Sequence, residues 1–100
     1  PESLDDARRI SDAVHALDPA AGCLVLGRGA DTTAVRRWLT TAAQVPGFTG
    51  FAVGRTVWWE PLRAFVAGGS RDEAVDAIAA NYLDLVEAYR TASSYVGEAR

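Results

Sequence analysis

Gly22-Cys23-Leu24-Val25-Leu26-Gly27 and Thr49-Gly50-Phe51-Ala52-Val53-Gly54 are the two stretches that decide the fold. Each is a short apolar run closed by glycine, too short for a helix of ordinary length. Neither alternates with charged residues, so both faces of each strand are expected to be buried, as in a parallel sheet. The runs at 22–27 and 49–54 begin about 27 residues apart. That is close to the roughly 30 residues of one strand–helix–strand unit. Such a crossover sets the two strands parallel and right-handed.

Helical patterns fill the chain around these strands. Over 3–17, Ser3 caps a helix whose first turn carries Asp5 and Asp6, where the helix dipole favours negative charge. Its apolar stripe is Ala7, Ile10, Val14 and Leu17, and Asp18-Pro19 ends it. Between the strands, 31–44 reads as a helix capped by Asp31 with Ala34, Val35, Trp38, Leu39 and Ala42 on one face. After the second strand, Pro61 suits the first turn of a short helix over 61–67, stopped by Gly68-Gly69. Ser70 and Glu73 then form a capping box for a helix over 71–92. Val75, Ile78, Tyr82, Leu83, Val86 and Tyr89 are its apolar stripe. Fraying is expected near Thr91 to Ser94, with a loose tail to Arg100.

The order helix, strand, helix, strand, short helix, long helix is α/β. Two parallel strands of five or six residues leave both outer edges unpaired, which does not make a self-sufficient sheet. The missing strands must come from a longer chain or from other copies. The opening Pro1, with no methionine, fits a segment of a longer chain.

Composition narrows the function. The chain has 100 residues, 49% of them hydrophobic and 23% charged, and reads as one soluble globular unit. No apolar run reaches the roughly 18 residues of a membrane span, and no secretory signal is present, so the expectation is a cytoplasmic protein without membrane association. All ten basic residues are arginine and they are scattered among thirteen carboxylates, giving a net charge of −3. With no basic stripe, nucleic acid is not an expected partner. Without lysine, the chain has no Schiff-base nucleophile of its own. Cys23 is the single cysteine and His15 the single histidine, which leaves no metal site, and no cofactor is expected. His15 reads as a solvated helix residue and Cys23 as a small apolar group in a strand.

The residues that carry chemistry lie just past each strand. Gly27-Arg28-Gly29 follows the first and Gly54-Arg55-Thr56 the second. Ligands of parallel α/β folds bind at the carboxyl ends of strands. In (β/α)8 barrels a phosphate site forms from the loops after the last two strands, beside a short extra helix. Glycines let backbone N–H groups approach an anion, a helix N-terminus adds free donors, and an arginine fork holds two phosphate oxygens. The competing reading is structural, with Arg28 and Arg55 in ion pairs and the glycines serving tight turns. Trp58, Trp59 and Glu60 come next. The tryptophans either fill space beside the sheet or line a sugar pocket, Trp58 with Glu60 being the pair assigned to it. Glu60 pairs with Arg55 or Arg63, opens the short helix, or serves as an acid or base.

The block from Gly50 to Leu62, with Gly54-Arg55-Thr56-Val57-Trp58-Trp59-Glu60-Pro61 at its centre, resembles a known family. It is similar to the aldolase-like C-terminal domain of bacterial 5-dehydro-2-deoxygluconokinase, the 2-deoxy-5-keto-gluconate 6-phosphate aldolase-like group. Leu26-Gly27-Arg28-Gly29-Ala30 and Ser70-Arg71-Asp72-Glu73-Ala74-Val75 are similar to it too, and the resemblance covers most of 20–90. Gly-Arg-x-x-Trp at 54–58 also resembles the end of class I tagatose-bisphosphate aldolases. The resemblance implies the C-terminal portion of a (β/α)8 TIM barrel, incomplete by itself. It implies a lyase of carbohydrate (inositol) catabolism that cleaves a phosphorylated keto sugar acid by a retro-aldol reaction. Gly27, Arg28, Gly54 and Arg55 would then hold the substrate phosphate, with Gly29 and Thr56 beside them. The catalytic lysine and acid–base residues of class I aldolases would lie upstream, so no residue here is assigned a catalytic role.

Three functions therefore stand at the level of sequence. The chain is the phosphate-binding end of an aldolase barrel, a non-catalytic sugar-phosphate binding module, or a structural interaction domain. Its expected partners are a phosphorylated sugar-acid substrate and either the remainder of the barrel in a longer chain or further copies in a homo-oligomer. The structural reading requires both guanidinium groups to be paired with carboxylates such as Glu60.

Overall fold

The computed structural model describes residues 1–99, with side chains through residue 94. It is a mixed α/β arrangement in the order α1 (Leu4–Leu17), β1 (Cys23–Leu26), α2 (Thr32–Ala42), β2 (Phe48–Ala52), α3 (Arg55–Val66) and α4 (Arg71–Ala99). β1 and β2 pair in parallel as a two-stranded sheet, so each strand keeps one unpaired edge. The register pairs Cys23 with Phe48 and Leu24 with Gly50, and Thr49 is bulged out between them.

Local chemistry sets the helix starts. The Ser3 hydroxyl accepts from the Asp6 N–H at 3.1 Å, an Asp31 carboxylate oxygen from the Ala34 N–H at 2.8 Å, and the Ser70 hydroxyl from the Glu73 N–H at 3.3 Å. Each satisfies a donor that the helix itself leaves orphaned.

The core lies between the sheet and its helices. Leu39, Leu85 and Val35 are its largest fully buried side chains, joined by Ala7, Cys23, Val25, Phe48 and Val57. Beyond the bulge, Phe51 turns to the same side and packs on Tyr82 and Tyr89 of α4, with ring centroids 6.0 and 5.8 Å apart. The Tyr89 hydroxyl donates to the Phe48 carbonyl at 3.1 Å, and burial raises its pKa. α1 comes close because Gly47 has no side chain. A Cβ there would collide with the Ser11 hydroxyl.

Several elements depart from the sequence expectation. The sheet is buried on one face only: Leu24 and Leu26 stay 57% and 59% exposed on the other, beside Gly50 and exposed Ala52. Leu24 and Leu26 instead line an open cleft with Arg9 and Ile10 of α1 and Trp38 of α2. On α1 the buried contacts come from Ala7, Leu4 and Val14, while Ile10 and Leu17 are exposed. On α4 the stripe is rotated in part: Leu85 and Ala88 are buried and Ile78 and Tyr89 pack on the core, whereas Val75 and Leu83 are exposed and Tyr82 is half exposed beside Phe51. α4 continues helical to Ala99 instead of fraying at 91–94, and the expected loose end at Arg100 lies outside the described residues. The strands are shorter than 22–27 and 49–54, and α2 stops at Ala42 in tight turns closed by the Gln44 and Val45 N–H groups.

The largest correction concerns α3, which starts at Arg55, six residues before the expected start, with Pro61 in its interior. An interior proline lacks the N–H that would bond the carbonyl four residues back. Here that carbonyl belongs to Val57, and the Asn81 side chain of α4 donates to it at 3.0 Å. A neighbouring helix thus supplies the hydrogen bond that Pro61 withholds, and the helix runs through.

Candidate functional site

The carboxyl ends of both strands deliver their loops to one side of the molecule. Past β1, the Gly27 carbonyl accepts from the Ala30 N–H at 3.0 Å. The two residues inside that turn have left-handed backbones, Arg28 at φ 56° and Gly29 at φ 73°. Two consecutive positive φ angles are those of a type I′ turn. Glycine adopts this freely; for arginine it is strained. Past β2, Gly54 opens α3, with its carbonyl accepting from the Val57 and Trp58 N–H groups. Gly54 has no side chain to cap the helix, so the Arg55 and Thr56 N–H groups keep no backbone partner within it.

Two contacts knit the loops together. The Thr56 hydroxyl donates to the Ala30 carbonyl, tying the start of α3 to the turn after β1. The Arg55 side chain then lies across Gly29: a Cβ on Gly29 would sit 2.8 Å from the guanidinium carbon and from one terminal nitrogen, and 3.2 Å from Nε. Glycine relieves the strain of that φ and leaves room for the guanidinium to lie across it.

The result is a cleft of about 460 Å³ lined by Gly29, Ala30, Asp31, Thr32, Arg55, Thr56, Trp59 and Glu60. It faces the starts of α2 and α3, where partial positive charge collects. Glu60 is bridged to Arg63 at 3.2 Å and not to Arg55. Among the described residues neither Arg55 nor Arg28 has a carboxylate within 4.0 Å. The ion pairs instead join Arg9 to Asp5, Arg36 to Asp84 and Arg37 to Glu2. The structural reading of Arg55 and Arg28 therefore loses its requirement.

The structure does not bring every candidate together. Arg28 lines a different cleft of about 690 Å³, which runs past Cys23–Leu26 of β1 with Ile10, Arg9 and Trp38. The two guanidinium groups share neither of these clefts, so the expected two-arginine clasp is not the form the site takes. Gly27, Gly54 and Trp58 line neither cleft. Gly27 is buried against Val53, and Gly54 lies under the Trp58 indole nitrogen. Of the assigned residues, Gly29, Arg55, Thr56 and Glu60 meet in one place.

Ala30, Asp31, Thr32 and Trp59 complete the lining and were not assigned from sequence. Trp59 takes the pocket position expected of Trp58 because α3 begins at Arg55. Trp59 is then one helical turn from Arg55, on the same face. Elsewhere, Glu2 accepts from the Trp38 indole N–H at 2.9 Å and from Arg37 at 3.0 Å, and these bonds lower its pKa. Cys23 is buried and free, and His15 is exposed. Among the described residues no three of His, Cys, Asp and Glu cluster as metal ligands, and no helix is long and apolar enough to cross a membrane.

No curated protein and no solved structure matches the chain. A family model described as an uncharacterized protein conserved in bacteria, DUF2090, matches residues 1–93, and the chain belongs to that family.

Proposed function

We propose that this DUF2090 chain supplies the phosphate-holding end of an aldolase-like (β/α)8 barrel that acts on a phosphorylated keto sugar acid. The observation that carries the reading is the Arg55 guanidinium, with no carboxylate within 4.0 Å among the described residues and laid over Gly29 between two helix starts. A phosphate monoester placed there meets the planar fork of Arg55 and the N–H groups that open α3. The position past the ends of parallel strands is where such folds take their ligands.

Barrel membership is supported by the open sheet. Leu24 and Leu26 project from the face opposite the buried Cys23 and Val25, and in a closed barrel the face away from the packed helices turns inward. Both free edges would then be paired. By the Schiff-base route the retro-aldol step needs a lysine amine, and this chain has no lysine. Its residues would bind and orient the phosphate, while the reacting centre would come from other strands. The binding-module reading shares the same site and differs only in lacking turnover.

The test is a calorimetric titration of the chain with inorganic phosphate. Arg55→Ala should weaken binding by about 1.5–3 kcal/mol, the range for a hydrogen bond to a charged group. Arg28→Ala should leave affinity within about twofold. Equal binding by wild type and Arg55→Ala would remove the site.

A further inference from the structure

Trp59 leaves 51% of its surface exposed while lining a cleft, an unusual place for an unused indole. The Trp58 ring lies beside it, 6.0 Å away and tilted by 59°. Arg55 stands one turn earlier on the same helix face, so guanidinium and indole look into the same space. The remaining polar lining is Thr32, Thr56, whose hydroxyl is spent on the Ala30 carbonyl, and two carboxylates, Asp31 and Glu60. Each carboxylate has one oxygen engaged, Asp31 by the Ala34 N–H and Glu60 by Arg63. The other oxygen of each is an acceptor for hydroxyl donors.

We infer that Trp59 is the ring platform of this cleft and selects a sugar-sized phosphate ester over bare phosphate. The inference rests on the phosphate site proposed above and goes beyond it by naming the residue that reads the rest of the ligand. Arg55 and the N–H groups that open α3 hold one anionic group, the phosphate, and Asp31 and Glu60 repel a second. Beyond that group the cleft favours a neutral, donor-rich body with an apolar face. A polyol ring fits both demands: its hydroxyls donate to Asp31 and Glu60, and its C–H face covers the indole. Any second acid group of the substrate must lie outside this cleft, away from Asp31 and Glu60. Covering a quarter or so of an indole corresponds to about tenfold in affinity.

The experiment titrates the full chain with inorganic phosphate, glucose 6-phosphate and adenosine 5′-monophosphate. Wild type, Trp59→Ala, Trp59→Phe and Arg55→Ala are compared, with circular dichroism to confirm equal helicity. Glucose 6-phosphate should bind about tenfold more tightly than phosphate to wild type. Trp59→Ala should erase that preference and leave phosphate affinity unchanged, and Trp59→Phe should retain part of it. Arg55→Ala should weaken both ligands together. A preference that survives Trp59→Ala, or a wild type with no preference, overturns the role of Trp59 and leaves the phosphate site standing. Tighter, Trp59-dependent binding of the adenine nucleotide overturns the choice of a polyol. Wild type that binds neither phosphate nor sugar phosphate overturns this inference and the phosphate site together.

Discussion

Gly29→Ala separates backbone strain from ligand binding, because the new methyl group acts on two different things. The first is the backbone. At φ 73° a side chain is strained, which costs about 1–2 kcal/mol of stability. The second is the Arg55 side chain, whose guanidinium carbon and one terminal nitrogen would lie 2.8 Å from the added carbon. Neither contact is tolerable, but Arg55 is exposed and its far end can swing aside. Little of the clash is then felt in stability. It appears in binding, because the guanidinium no longer lies where the two helix starts meet.

Phosphate affinity should accordingly fall by about 1.5–3 kcal/mol, as in Arg55→Ala. The two effects are read by urea unfolding and by calorimetric titration on the same preparations. The double variant completes a cycle. Against an Arg55→Ala background, Gly29→Ala should still cost its backbone strain in stability but nothing further in affinity. Phosphate affinity in Gly29→Ala within twofold of wild type would refute the reasoning, and so would a loss that adds in full to that of Arg55→Ala.

Three further outcomes follow from the packing. Asn81→Leu should cost about 1–2 kcal/mol in urea unfolding, because the Val57 carbonyl loses its donor, and much less in a Pro61→Ala background that restores a backbone N–H; equal costs in both backgrounds would contradict that account. Tyr89 has its pKa raised by burial, so its contribution is complete below the ordinary tyrosine value near 10 and is lost as pH rises through the raised one. Unfolding measured from pH 8 to 11 should fall more steeply for wild type than for Tyr89→Phe, and parallel curves would exclude this linkage. Leu24 and Leu26 leave an apolar sheet face open, so the chain alone should scatter light with a mass above that of one copy, and Leu24→Glu with Leu26→Glu should lower it. A stable wild-type monomer at tens of micromolar would contradict the need for covering strands.

What could be read from the sequence was local. The Ser3, Asp31 and Ser70 caps lie within three residues of the N–H groups they bind, so spacing alone announces them. The strands are announced by short glycine-bounded runs, and their parallel pairing by the spacing of about 27 residues that a crossover helix fills. The position of α3 was not legible, because Pro61 ordinarily marks a helix start, and the group that lets it sit inside the helix is Asn81, on another element. That one displacement carried the site with it: starting the helix at Pro61 leaves Trp59 in a loop, whereas starting it at Arg55 stacks Trp59 a turn above the guanidinium. The rotated stripe of α4, which buries Leu85 in place of Leu83, has a similar origin. Both choices satisfy helical periodicity, and the packing of α4 on α2 and α3 decides between them. Arg28 was assigned with Arg55 because both follow a glycine after a strand. The left-handed turn at Arg28 and Gly29 instead leaves Arg28 lining the cleft beside β1.

The anion site is tested most directly by amide and arginine-side-chain NMR of the isotopically labelled chain during addition of inorganic phosphate. The account predicts that saturable shifts concentrate at the Gly29, Thr32, Arg55 and Thr56 amides and at Arg55 Nε, with Arg28 Nε unmoved. Shifts centred on Arg28, or spread evenly over the arginines without saturation, would contradict it.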